Sequence, residues 1–179
     1  MTDTAIRGRD RLVAKVSAVD ATGALRQPRI DGLLVRYVRP VPHEDGVLAE
    51  IAREGWPEIS VPVVQVHLTT TLPGRTRAWG LHQFSTDRLF VVSGLVSIVV
   101  FDGRIGSPTE GVVNEFKVSE RNPALVVIPP NLFHGWKNIG TSDAAIINMP
   151  TSVYRYDAPD ALDLDYQTED AARIVPFRW

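Results

Sequence analysis

The sequence predicts an all-β fold, a barrel or jelly roll with a few short peripheral helices. Short β-branched runs recur from Leu33 to Met149, and glycine- and proline-rich breaks separate them. In VPVVQVHLT the polarity also alternates with a period of two: Val64, Val66 and Leu68 form one face, and Gln65, His67 and Thr69 the other. A chain of 179 residues is long enough to bury one core, and its length fits a single domain.

Residues 1–29 are polar and weakly patterned and read as an N-terminal arm able to dock on a partner subunit. The barrel is expected over residues 30–157. It begins with LLVRYVR, and Val47 to Glu54 reads as a short helix before VPVVQVHLT. RLFVVSG and LVSIVVF read as two strands pivoting at Ser93-Gly94, and FDGRIGSPTEG as a turn-rich connector. VVNEFKV, ALVVIP and AAIINM complete the strands. Residues 158–179 read as a tail packing on the barrel, with a short helix near Thr168 to Arg173.

Nineteen basic against 21 acidic residues leave a net charge of -2, which provides no field to draw the chain onto nucleic acid. Nowhere do about 18 apolar residues run together, and MTDTAIRGRDRLVAK lacks the apolar core of a signal peptide. No membrane association is expected, and the cytoplasm is the expected compartment. Without cysteine there is no disulfide, no thiolate metal site and no cysteine nucleophile.

Two regions carry chemistry. PPNLFHGWKN contains PxNxxHxxxN from Pro129 to Asn138 and resembles the second motif of the cupins, with Asn131 where glycine is usual. The first cupin motif has two histidines one residue apart, then an acid, then a glycine. His82, Phe84, Asp87 and Gly94 stand at those places, so the second histidine is missing. A transition metal needs about three or four protein ligands. His82, Asp87 and His134 make a thin set, and no metal is expected.

A closer resemblance runs through most of residues 30–157. WGLHQ, VVSG, FDGRIGSPTEG, VSERNPALVVIPPNLFHGW and IINMPTSVY resemble the dTDP-4-dehydrorhamnose 3,5-epimerases, the sugar-nucleotide branch of the cupins. The pattern DxRxxSPTxG is present from Asp102 to Gly111, and SxxNxxxLxIPxGxxHGF aligns without a gap from Ser119. The resemblance implies a cupin jelly roll, usually a homodimer, without metal or cofactor, acting on a 4-keto sugar nucleotide. A hydrogen beside the C4 ketone is a weak carbon acid, so such an enzyme needs a poised base, donors for the enolate and an acid to return the proton.

By the resemblance, His82 is the base and His134 binds substrate. The family's QxN segment falls on Gln65 and His67, and its RGxFxE segment on Asp45, Gly46, Leu48 and Glu50. Trp79, Asp87 and Asp45 stand where the family has cations, and Asn148 where it has its tyrosine acid. An amide cannot deliver a proton at neutral pH. The expected reaction is therefore restricted, to inversion at one carbon.

Gln65, His67, Arg77, Trp79, Arg88, His134, Asn148 and Glu50 are the expected substrate contacts, with Arg75 a further candidate for a diphosphate and Trp79 for stacking. Tyr154 and Tyr156 are alternative acids. Two registers compete for the family's late aspartate. One puts it at Asp170; the other, preferred, reads IVPFRW as a truncated end and leaves Asp170 a helix-start carboxylate, so that another acid orients His82. A catalytically silent sugar- or nucleotide-binding barrel and a metal-dependent cupin remain as alternatives.

Overall fold

The computed structural model describes residues 7, 9–14, 17–22 and 28–179. The other residues of the expected arm, 1–6, 8, 15–16 and 23–27, lie outside the described ones. The fold is all-β, a jelly-roll barrel of two five-stranded antiparallel sheets. The strands are β1 (Leu34–Tyr37), β2 (Val41–His43), β3 (Gly46–Leu48), β4 (His67–Thr71), β5 (Thr76–His82) and β6 (Asp87–Ser93). They continue with β7 (Leu95–Phe101), β8 (Val113–Ser119), β9 (Ala124–Ile128), β10 (Phe133–Asn138), β11 (Ala144–Asn148) and β12 (Ala161–Asp163), followed by helix α1 (Glu169–Ile174). One sheet runs β1-β9-β6-β11-β4 and the other β12-β5-β10-β7-β8, while β2 and β3 form a separate hairpin.

The valine-rich runs are explained by burial on both faces. Leu89 and Val91 of β6, Val96, Ile98 and Val100 of β7, and Val126 and Ile128 of β9 meet between the sheets. The alternate residues Phe90, Leu125 and Val127 pack outward beneath Ile59. On the opposite flank Val99 and Phe101 pack with Trp79, Ala171 and Val175, so the last residues cover the second sheet. A strand buried on both faces reads as a continuous apolar run rather than an alternating one.

The Ser93-Gly94 pivot joins β6 to β7, and Gly94 has a φ of 86° with the backbone of Ala144 only 2.8 Å from where a Cβ would lie. Asn131 adopts a φ of 64° in the turn between β9 and β10. Asparagine tolerates the left-handed region better than most residues, which accounts for its standing where the motif has glycine.

Val47 to Glu54 is a correction. Gly46–Leu48 is a strand with exposed side chains, and residues 49–54 are not helical. The HEDG turn closes a hairpin there, and Gly55 and Pro57 follow too soon for a helix to accumulate stabilising contacts. VPVVQVHLT is a regular strand only from His67. Its alternation nevertheless holds, with Gln65, His67 and Thr69 half-buried and Val64, Val66 and Leu68 exposed.

The DxRxxSPTxG segment is a structural staple. Asp102, 0% exposed, accepts hydrogen bonds from the Arg104 side chain, Ser107 Oγ at 2.6 Å and Thr109 Oγ1 at 2.7 Å. Arg104 holds its carboxyl well below the usual range, and the two hydroxyls add to that effect. Thr109 Oγ1 in turn accepts the Asp31 amide at 2.9 Å, which anchors the start of the barrel.

Candidate active site

The site lies at one end of the barrel, where β5 and β10 of one sheet face β6, β11 and β4 of the other. His82 is the last residue of β5, and Asp87 the first of β6. His134 is on β10, in register with Gly80 of β5. The two imidazoles stack with centroids 5.8 Å apart and planes 20° from parallel. Asp87 Oδ2 sits between them, 3.4 Å from His82 Nε2 and 3.2 Å from His134 Nε2.

Asp87 is buried, and its other oxygen accepts Asn148 Nδ2 at 2.8 Å. Burial alone would push this carboxyl up, but the hydrogen bonds from His134 and His82 outweigh it and hold the group well below the usual carboxylate range. His134 Nδ1 lies 3.0 Å from the Leu132 carbonyl. A carbonyl only accepts, so Nδ1 donates to it, and Nε2 faces Asp87 as a second donor.

A second carboxylate approaches His82 from behind. Pairing of β12 with β5 sets Ala161 against His82, which brings the preceding residue, Asp160, to 3.5 Å from His82 Nδ1. Asp160 also accepts the backbone amides of Gln83, Phe84 and Ser85 at 2.8–3.1 Å. The loop after β5 is therefore clamped by the same side chain that faces the ring. The backbone of His82 is fixed as well, its carbonyl accepting the Asn131 amide at 2.7 Å. The hydrogen bond to Asp87 raises the His82 pKa above 6.5; burial opposes this, and the charges of Asp87 and Asp160 reinforce it.

Two adjoining clefts, of about 500 and 490 Å³, share His82, Asp87 and Asn148. The first is also lined by His67, Tyr154 and Asp160, with Phe84 at its rim 81% exposed. The second is bordered by Arg77, Trp79 and His134.

Several expected contacts are placed elsewhere or otherwise engaged. Arg88 is 1% exposed and donates to the backbone carbonyls of Met149, Val61, Pro62 and Pro150, so it staples two segments together and is not available to a diphosphate. Trp79 is 2% exposed and packs on Trp179 and Phe177 at 5.0 and 6.2 Å, which leaves no ring face for a sugar. Glu50 pairs with Arg53 on the surface and lines neither cleft. Gln65 Oε1 accepts the Tyr154 amide at 2.7 Å and fixes the cleft wall.

Asn148 is in the cleft, but both ends of its amide are taken, by Asp87 and by the Arg88 backbone N–H. Arg77 lies at the edge of the second cleft, 5.8 Å over the Trp136 ring. Asp170 is exposed near Arg173 in the first turn of α1, which Thr168 caps. Asp160 escapes sequence reasoning, because a register between distant strands puts it there and no local pattern marks it.

His82, Asp87 and His134 are the one grouping among the described residues that could ligate a metal ion, their ligand atoms lying within 4.8 Å of one another. Two histidines and one carboxylate suit a transition metal in number. The same three atoms also satisfy one another by sharing protons. The orientation of the rings is thus compatible with either occupant, a proton pair or a cation.

A jelly roll with a carboxylate-flanked histidine over a shared cleft defines a cupin-type barrel with a candidate proton-transfer site. Comparison with known proteins gives the particular family. The chain belongs to the polysaccharide biosynthesis C-terminal domain family, whose model matches residues 43–162. It is 31% identical over 140 residues to a probable low-salt glycan biosynthesis epimerase, Agl13, of Haloferax volcanii, covering 78% of this chain and 90% of that protein.

Among solved structures, a dTDP sugar isomerase from Desulfovibrio desulfuricans superposes with a TM-score of 0.75 at 26% identity, covering 84% of this chain and 92% of the other. The dTDP-6-deoxy-D-glucose-3,5-epimerase of Legionella pneumophila, solved with dTDP-4-keto-L-rhamnose, gives 0.70 at 23% identity, covering 85% and 82%. With both structures the chain shares the jelly-roll fold.

Proposed function

We propose that the protein is a sugar-nucleotide epimerase in which His82 removes the proton beside the C4 ketone of an NDP-4-keto-6-deoxyhexose, with inversion at a single carbon. The observation that carries this reading is His82 itself. Its ring projects into a cleft of about 500 Å³, with Asp160 behind Nδ1 and Asp87 beside Nε2. A base held by carboxylates keeps its tautomer and direction through the cycle. His134, anchored on Leu132, faces the same centre and supplies a donor toward the developing enolate.

Arg77 and Phe84, at the cleft edges, suit the phosphates and the nucleobase of such a substrate. No helix among the described residues is long and apolar enough to cross a membrane. The cytoplasm, where nucleotide sugars would be at hand, is the proposed compartment. A homodimer is proposed because β4 is a sheet edge that exposes Leu68, with Val64 and Val66 of the preceding segment also exposed, at 48–67%.

The test is deuterium incorporation from D2O into dTDP-4-keto-6-deoxyglucose and its UDP counterpart, followed by NMR and mass. Wild type is expected to exchange a hydrogen next to the ketone, and His82→Asn to lose roughly 10²–10⁴-fold of that rate. Equal exchange by His82→Asn, or none by wild type, would refute the reading.

A further inference from the structure

Inversion at carbon needs a second proton-transfer group on the face opposite the base, and we infer that His67 is that group. This inference rests on the epimerase reading above. His82 belongs to the β12-β5-β10-β7-β8 sheet, whereas His67 is on β4, in the facing sheet. Both line the same cleft. A substrate held between the sheets would meet one imidazole on each side.

The register fixes where His67 points. It pairs with Asn148 of β11, and directly opposed residues of an antiparallel pair share a face, with Cβ atoms about 4.5–5.5 Å apart. Asn148 touches Asp87, and Asp87 touches His82. His67 therefore stands one strand beyond Asn148, in the same sheet as Asp87 and in the sheet that faces His82. Its ring is half-buried and has no hydrogen-bond or ion-pair partner among the described residues, so its nitrogens are open to a ligand.

The remaining cleft groups are poorly suited to deliver a proton. Asp87 is held ionised by the two histidines, and Asp160 is spent on three backbone amides and His82. The Asn148 amide cannot transfer a proton and is already engaged. Tyr154 sits at the mouth, 42% exposed and edge-on to Tyr156 at 5.3 Å. Of these side-chain types, imidazole is the one whose ordinary titration lies nearest neutral pH.

The step balances without a co-reactant. The C–H bond breaks, its proton passes to His82 and its electron pair to the enolate. The enolate carbon then takes a proton from the His67 imidazolium on the other face, and the carbonyl reforms. His82 ends with one proton more and His67 with one fewer, and exchange with water resets both.

Deuterium uptake and inversion, measured separately on dTDP-4-keto-6-deoxyglucose in D2O, test the assignment. In His67→Asn, uptake with retention is expected to stay within a few-fold of wild type, because His82 can return a solvent-exchanged proton to the same face, while inversion falls at least about 100-fold. His67→Ala is expected to regain inversion with added imidazole. Inversion at the wild-type rate by His67→Asn, parallel loss of uptake and inversion in a folded His67→Asn, or failure of imidazole to rescue a folded His67→Ala would each overturn the role of His67. Absence of uptake in wild type would instead overturn the epimerase reading itself.

Discussion

Asp160 Oδ2 lies 3.5 Å from His82 Nδ1, although 77 residues separate them. The approach is set where β12 pairs with β5 through Ala161, Leu162 and Asp163, with further backbone bonds between Leu164 and Trp79. In the proposed reaction the short strand would position the base as well as cover a sheet edge, with Asp160 acting through His82 rather than on substrate.

Asp160→Asn keeps the shape but removes the charge behind the ring. Turnover is expected to fall by roughly 10²-fold, with KM changing much less, because the substrate-facing surface is intact. Slower C–H cleavage becomes more fully rate-limiting, which should show as a larger primary deuterium effect on kcat. A loss confined to KM would show that Asp160 serves binding instead.

Asp87 controls the pH dependence. The proposed reaction requires the base form of His82, whose hydrogen bond to Asp87 raises the pKa above 6.5, so kcat/KM is expected to rise with pH through a midpoint above that value. Asp160 and His134 face the same ring region, and Asp160 also favours the charged form. In Asp87→Asn the largest raising influence is gone, and the midpoint should move toward acid. A pH–rate profile of the two proteins checks the direction; an alkaline move would contradict the assignment of His82 as base.

How much of this was legible in the sequence depends on what kind of partner each residue has. Strand runs such as LVSIVVF announce themselves because side chains buried on both faces must be apolar, and the alternation at Gln65, His67 and Thr69 follows from the pleat. Arg88 reads as a free cation because its partners, the carbonyls of Val61, Pro62, Met149 and Pro150, leave no mark on side-chain identity. Trp79 reads equally as a core residue or a stacking platform, and Phe177 and Trp179 folding back over it decide for the core. Asp160 is set by strand register at long range, and Asp87, visible as a departure from the family, gains its meaning only when both histidines converge on it.

The Asp102 staple makes a stability prediction. Asp102→Asn leaves the partly exposed Arg104 guanidinium facing a neutral amide, at an expected cost of about 1–3 kcal/mol. The folded-state pKa is depressed, so the stabilisation is fully present above the unfolded-state value of about 4 and is lost as pH falls below it. Urea unfolding from pH 7 to pH 3 should thus show wild type losing stability on the acid side more steeply than Asp102→Asn. Equal slopes would show that the buried carboxylate is not linked to folding.

Zinc provides the sharpest separation between the two occupants that the His82, Asp87 and His134 cluster can take. Their ligand atoms lie within 4.8 Å, and a zinc ion bound to them would take the Nε2 lone pairs and the Asp87 oxygen that proton transfer requires. Added zinc is therefore expected to suppress deuterium exchange, and excess EDTA to restore it. Asp87→Asn, which removes the anionic ligand, should raise the zinc concentration needed by about tenfold or more, read as zinc binding by calorimetry so that the measurement does not depend on residual turnover. Wild-type enzyme that loses exchange on chelation and recovers it with added metal would instead make the ion part of the reaction, and His82 a ligand rather than the base.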